Sequence, residues 1–334
     1  QEREQLDISC LEDAYPLSML QQGMVLHNLK SESAGLYHDV FSFKISAHWD
    51  EVKFTQALEQ VTSRHASLRS LLSLDGDRPL QLVQPQAKVD LKVIDISVSD
   101  AQQQQDIIEQ WIDAEKVTDF AVSKPQWRVI VHQLNDSEFY YHLSFHHAFW
   151  DGWSIASLNT EIWIAYADLL ECKAITVADK PMPYRNFIAL EQKAQRSEAH
   201  RNYWLDLVKD TNCSWWTSDP QGKAFSKRIE LSEPQAQKIQ TLCKSIGIQE
   251  KTFFLTVHTV LISLLNNEEQ LLTSVVSNGR PEVAGGEKTL GLFLNSLPFK
   301  VAKQTGTWES LLLAVEKQLV ESMAHRHYPL ADIQ

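Results

Sequence analysis

Hydrophobic and polar positions recur along this chain with two periods, and the switch from one to the other marks out its elements. Residues 38–46 and 89–97 alternate as strands do. Residues 71–74 and 79–84 flank Asp75-Gly76-Asp77-Arg78, and the Asp-Gly pair between them is a hairpin signal. Residues 127–134 and 138–145 flank Asn135-Asp136 and predict a second hairpin. Residues 51–64 predict a helix with Val52, Ala57, Leu58 and Val61 on one side. Helices are also expected over 100–116, with Gln102 to Gln105 as a solvated face, and over 155–170. Ser18, just after Pro16, can cap a helix reaching Leu29. Further on, residues 184–209 read as one long helix and 225–231 as a strand. A helix begins at Ser232-Glu233-Pro234 and ends at Gly247, and an apolar helix over 250–265 is expected in the core. Residues 271–277 read as a strand. Mixed strands and helices with antiparallel hairpins predict an α+β fold, an α/β sandwich, and not a doubly wound parallel sheet.

Composition narrows the class. The 334 residues, 43% hydrophobic and 22% charged, suit a globular protein of one large domain or two lobes. A formal net charge of −12 without a basic run makes a nucleic-acid binder a poor fit. Cys10, Cys172, Cys213 and Cys243 are widely spaced and form no Cys-x-x-Cys, which points to reduced thiols. No apolar run reaches ~18 residues and no signal peptide opens the chain, so no membrane association and a cytoplasmic location are expected.

The stretch richest in chemistry is His146-His147-Ala148-Phe149-Trp150-Asp151-Gly152-Trp153-Ser154. It leaves an aromatic strand and enters a helix. Strand geometry carried through the pair would point His146 and His147 to opposite faces. Gly152 allows a tight turn or a close backbone approach, and an N–H near a helix start can meet a developing negative charge. A bare His-His pair at a strand end is more often two satisfied polar residues than a catalytic device. The surroundings carry no His/Cys/Asp/Glu spacing typical of zinc, so no metal is expected.

His146-His147-x-x-x-Asp151-Gly152 resembles the active-site signature of the condensation domains of non-ribosomal peptide synthetases, in the chloramphenicol-acetyltransferase-like superfamily. Five further segments match in the family's order. Tyr15 to Met24 resembles the first motif, and Arg64-His65-Ala66-Ser67-Leu68-Arg69-Ser70 the second, with Ser70 where Thr is usual. Pro183 to Phe187 is loosely similar to the fourth, with Tyr203-Trp204 closing that helix. Asn278-Gly279-Arg280-Pro281 with Leu290 to Pro298 resembles the fifth, and His325 to Leu330 the sixth.

The resemblance implies two acetyltransferase-like lobes in a V, residues 1–178 and 179–334, joined through a linker at 179–183. Family members normally continue further, so the C-terminal lobe is expected to be incomplete in this chain. The implied reaction forms an amide between a donor acyl or peptidyl thioester and an acceptor aminoacyl thioester. Both substrates ride on phosphopantetheine arms, and the domain itself binds no cofactor. The implied partners are donor and acceptor peptidyl carrier proteins and an adjacent adenylation domain. His147 takes the catalytic position, as base or as positioner of the amine, and Gly152 contributes backbone at the reaction centre. His146 is structural, Asp151 is expected to pair with Arg69, and Trp153, Ser154, Asn295 and Ser296 are expected to line the substrate tunnel. The alternatives are an epimerisation domain, which shares the His-His-x-x-x-Asp signature, a non-catalytic recruitment platform, and a free-standing acyltransferase. The first motif and Gly152 favour condensation over epimerisation, and the intact His147 argues against a recruitment platform.

Overall fold

The computed structural model describes residues 10–31, 35–174, 180–209, 226–267, 270–302 and 306–334. The chain packs as two units: Gln1–Gln192 with Gly279–Leu294, and Lys193–Asn278 with Asn295–Gln334. The expected lobe boundary at 178/179 falls outside the described residues. The first unit therefore takes in a segment far along the chain, which matters for the site below.

Among the described residues, seven strands belong to the first unit: β1 (Asp13–Pro16), β2 (His38–Ser46), β3 (Ser70–Ser73), β4 (Leu80–Val83), β5 (Leu91–Asp95), β6 (Trp127–Asn135) and β7 (Glu138–His146). They form a four-stranded sheet in the order β2-β7-β6-β5 and a three-stranded sheet in the order β1-β4-β3. β7 runs antiparallel to both neighbours, whereas β5 joins β6 in parallel. Both predicted hairpins form, β3 with β4 and β6 with β7. Gly76 takes a positive φ of 95° in the first turn, a conformation glycine adopts without steric cost.

β7 explains where the core sits. Phe139, Tyr141, Leu143 and Phe145 point to one face and pack with Phe54, Val129, Val131, Trp150 and Leu158. Helices α2 (Glu51–Arg64) and α4 (Gly152–Leu170) cover that face. The α2 stripe is Phe54, Ala57, Leu58 and Val61, at the i, i+3, i+4, i+7 spacing of one helical face. Val52, expected on it, is exposed, because it lies off that phase. α1 (Met19–Lys30) starts at the Ser18 cap its sequence predicts, and Gln21 closes that cap into a capping box.

The opposite sheet face lies under α3 (Ala101–Glu115) and is polar although buried, with His132, His142, Ser144 and His146 all nearly closed to solvent. Gln104 of α3 is half-buried and donates to Ile96 O (3.0 Å) and Leu134 O (3.3 Å), so the glutamine run is not simply a solvated face. Of the expected linker, Asp179 lies outside the described residues, whereas 180–183 is pinned. Met182 N–H donates to Gly285 O (3.1 Å) and the Thr289 hydroxyl to Met182 O (2.8 Å).

Where one helix was expected over 184–209 there are two, α5 (Arg185–Gln195) and α6 (Glu198–Val208). Ser197 ends the first by capping the second, its hydroxyl accepting from His200 N–H (3.4 Å). The second unit adds α7 (Glu233–Ile246), α8 (Glu250–Asn266), α9 (Trp308–Met323) and the paired strands β8 (Gln270–Asn278) and β9 (Leu294–Ala302). Residues 226–231 are exposed and form no strand, because no neighbouring strand among the described residues supplies a ladder. α8 forms but is not a core helix. Its buried positions are Thr252, Thr256 and Thr259, while Phe254, Val257, Leu261, Leu264 and Leu265 are exposed. No helix among the described residues is long and apolar enough to cross a membrane.

Candidate active site

The strand ladder of β7 ends at His146, which pairs with His38 of β2. The next residue has already turned: Phe149 N–H donates to His146 O (3.0 Å), closing a tight turn over 146–149. The two histidines therefore diverge through a turn, and not through strand alternation as expected. His146 is buried. Its Nδ1 accepts from Ala148 N–H (3.1 Å), which leaves the proton on Nε2. Burial, reinforced by His38 and His147, pushes its pKa down to about 4, so the ring is neutral and structural in character.

His147 is different. Its backbone N–H donates to Tyr37 O (2.8 Å), which ties the turn to the chain just ahead of β2. About a third of its side chain, 34%, is exposed, yet its Nδ1 is shielded from solvent. The nearest partner of Nδ1 is the Asp39 carboxylate on β2, 3.3 Å away, at ion-pair distance but out of line for a hydrogen bond. With Nδ1 walled off, Nε2 is the nitrogen that can reach an incoming group. Gln21 of α1 holds the same turn by donating to Ala148 O (2.9 Å), and Trp150 Nε1 donates to the Ser67 hydroxyl (3.2 Å). Gln21 lies inside the segment that resembles the first motif, and nothing local in the sequence tied it to Ala148.

Asp151 caps α4, accepting from Ser154 N–H (2.8 Å) and from the Ser154 hydroxyl (2.7 Å). Its ion-pair partner is Arg280, with Nη2 3.2 Å from Oδ1 and 3.4 Å from Oδ2. Phe293 N–H donates to Oδ2 (3.2 Å), and Asp151 N–H donates to Gly291 O (3.1 Å). Arg280 also donates to Gly286 O (3.1 Å) and Thr289 O and lies 4.0 Å over the Phe293 ring. The 279–294 segment is thus bolted to the start of α4. Gly291 is required for this fit, since a Cβ there would stand 2.3 Å from the Tyr184 ring.

The expected pairing of Arg69 with Asp151 is corrected. Arg69 is buried, but its guanidinium binds Glu12 (2.6 Å), Gln84 O and Thr62 O (3.2 Å), holding β1 to the end of α2. The arginine that serves Asp151 lies 129 residues later, inside the Asn-Gly-Arg-Pro segment singled out in the sequence. Ser154, expected in the tunnel, is buried in the same network, accepting from Gly291 N–H (3.0 Å) and Arg280 Nη2 (3.0 Å). Trp153 is exposed and its Nε1 donates to Glu287 O (3.1 Å). Asn295 and Ser296 are half-buried in the second unit. The Asn295 amide donates to Arg326 O (2.9 Å) and Tyr328 O (2.7 Å), so it holds the closing turn of that unit. Gly152 is exposed with open space where a Cβ would stand, so nothing in the fold demands glycine there. Its bareness leaves room beside the first turn of α4 for a group arriving from outside.

Comparison with known proteins identifies relatives of this chain. The family profile described as Condensation domain matches residues 11–334. AMB antimetabolite synthetase AmbE of Pseudomonas aeruginosa is 30% identical over 332 residues, covering 97% of this chain and 16% of that protein. Tyrocidine synthase 2 of Brevibacillus parabrevis is 28% identical, covering 97% of this chain and 9% of that protein. The chain thus spans a sixth or less of these two relatives. Among solved structures, the first condensation domain of the calcium-dependent antibiotic synthetase, in complex with a substrate analogue, superposes with a TM-score of 0.75 at 18% identity. That match covers 97% of this chain and 77% of that one. The condensation domain of Monacolin K polyketide synthase MokA superposes with a TM-score of 0.78 at 17% identity, covering 97% and 76%.

Proposed function

The chain belongs to the condensation-domain family, and from that premise we propose that it joins a donor acyl or peptidyl thioester to an acceptor aminoacyl thioester as an amide. Both substrates arrive on phosphopantetheine arms of carrier proteins, in a larger synthetase that also carries an adenylation domain. The observation that carries this reading is His147: a part-exposed imidazole on a turn tied down from three directions, with Nδ1 shielded and Nε2 left to act.

The chemistry follows from that nitrogen. As the acceptor amine attacks the thioester carbonyl, a C–N bond forms and the amine must lose a proton. Nε2 of His147 takes it, as a general base within reach of the amine. When the C–S bond breaks, the proton passes to the departing thiolate. The oxyanion that forms between these steps needs a donor. We assign it to the backbone N–H groups of the first turn of α4 beside the bare Gly152, apart from Ser154 N–H, which Asp151 already holds. Asp151 and Arg280 touch no substrate in this scheme. They fix α4 and the turn so that His147 stays in place.

The test is reconstitution with loaded donor and acceptor carrier proteins, read by intact mass. Transfer of the donor mass onto the acceptor carrier is expected. Exchange of the donor's α-hydrogen without transfer would assign epimerisation instead, and the absence of both reactions would contradict an enzymatic role.

A further inference from the structure

We propose that Asp39 is a positioning residue for His147, holding the Nδ1 side of the imidazole so that Nε2 is kept as the proton acceptor. The inference deepens the amide-forming reading and rests on it for its catalytic meaning. Asp39 sits on β2 opposite Phe145 of β7, in the antiparallel ladder that continues through His38 and His146. Two residues earlier on the same stretch of chain, Tyr37 O accepts the His147 backbone N–H. One rigid stretch of chain therefore holds both the backbone and the ring of His147.

A neutral imidazole carries its proton on one nitrogen, and the partner of that nitrogen selects the tautomer. The Asp39 carboxylate, 3.3 Å from the shielded Nδ1, is an acceptor only, so it favours Nδ1–H. The same negative charge stabilises the imidazolium that forms once Nε2 has taken the amine proton. Asp39 itself exchanges no proton. The contact is out of line for a hydrogen bond, and catalytic hydrogen bonds often tighten only once substrate is bound. His146 cannot supply this service. Its own Nδ1 is occupied by Ala148 N–H, and burial keeps its ring neutral. Among the described residues, His147 is the titratable group that acts on Asp39, and Asp39 and the adjacent His146 lie beside His147. Burial raises the Asp39 carboxyl above its ordinary value and His147 opposes that rise.

The experiment compares wild type, Asp39→Asn, His147→Ala and the double variant in single-turnover amide formation against pH. Histidine 15N NMR of the wild type and Asp39→Asn proteins accompanies it. Asp39→Asn is expected to lose about tenfold or more in the maximal rate, less than the ~10²–10⁴-fold a general base contributes, with the acceptor KM unchanged. The double variant should be no slower than His147→Ala alone. In the spectra, His147 should be an Nδ1–H tautomer in wild type and lose both that preference and some basicity in Asp39→Asn. A wild-type rate in Asp39→Asn, or losses that multiply in the double variant, overturns the proposal. So does a wild-type His147 already in the Nε2–H form. Were the wild type to form no amide, the functional reading would fall, and the tautomer alone would decide the role of Asp39.

Discussion

Asp151 and Arg280 show how much a single pair of residues can carry. Both are buried, and between them they meet Ser154, Gly286, Thr289, Gly291 and Phe293. Removing one member of such a pair leaves an unpaired buried charge, which costs ~3–5 kcal/mol. Arg280→Ala and Asp151→Ala should each lower the melting temperature by several degrees and reduce turnover in proportion to lost folded protein. Arg69→Ala should also destabilise, but through β1 and α2, and its effect should add to that of Arg280→Ala in a double variant, since the partners described above for the two differ. Thermal melts of the three single variants and the double variant check this, and strong non-additivity would contradict it. His146→Ala belongs with these structural changes: it should shift the melt and leave the rate per folded molecule near wild type. The Asp-Gly signal ahead of a helix was local and legible, but the helix was expected from 155, so Asp151 was not expected as its cap. The sequence did not reveal the arginine. An ion pair spanning 129 residues leaves no local trace, and two buried arginines were available to choose from.

The sheet face beneath α3 is the element with a pH dependence of its own. His132 Nδ1 and His142 Nε2 lie 3.0 Å apart, the Ser42 hydroxyl meets His142 Nδ1 (2.7 Å), and Trp111 packs on both rings. Burial pulls His132 to about 4 and His142 to about 3, and His146 in the same layer to about 4. In the unfolded chain these rings titrate near ~6.5. Between those values the unfolded state binds protons that the folded state refuses, so stability rises with pH there. It should be complete above about pH 6.5 and fall steadily toward about pH 4. Melting temperatures measured across that range check this, and His132→Leu, which removes one titrating ring, should flatten the slope. An unchanged slope would locate the acid sensitivity elsewhere.

Elements were legible where their signals were local. The β6–β7 hairpin, the Ser18 cap and the Gly247 stop, with φ 73°, needed only neighbouring residues. The break between α5 and α6 was missed because a continuous polar–apolar pattern hid one capping serine, and the 226–231 strand failed for want of a partner among the described residues.

At the scale of the molecule, family membership rests on the whole run from residue 11 to residue 334, and the fold agrees with solved condensation domains. The order of motifs along the sequence already pointed there. What the order could not give is which side chains meet, such as Asp39 with His147 or Gln21 with Ala148, because such contacts depend on the register of β2 with β7 and on the seating of α1. The account as a whole turns on His147 as the group that handles the amine proton. Its most direct test is the single-turnover rate of amide formation by His147→Ala, with loaded donor and acceptor carriers, at equal folded concentration verified by melting. The prediction is a normal melt and a rate reduced by ~10²–10⁴-fold. A normal melt with the wild-type rate would contradict it and leave catalysis to the positioning of the two thioesters alone.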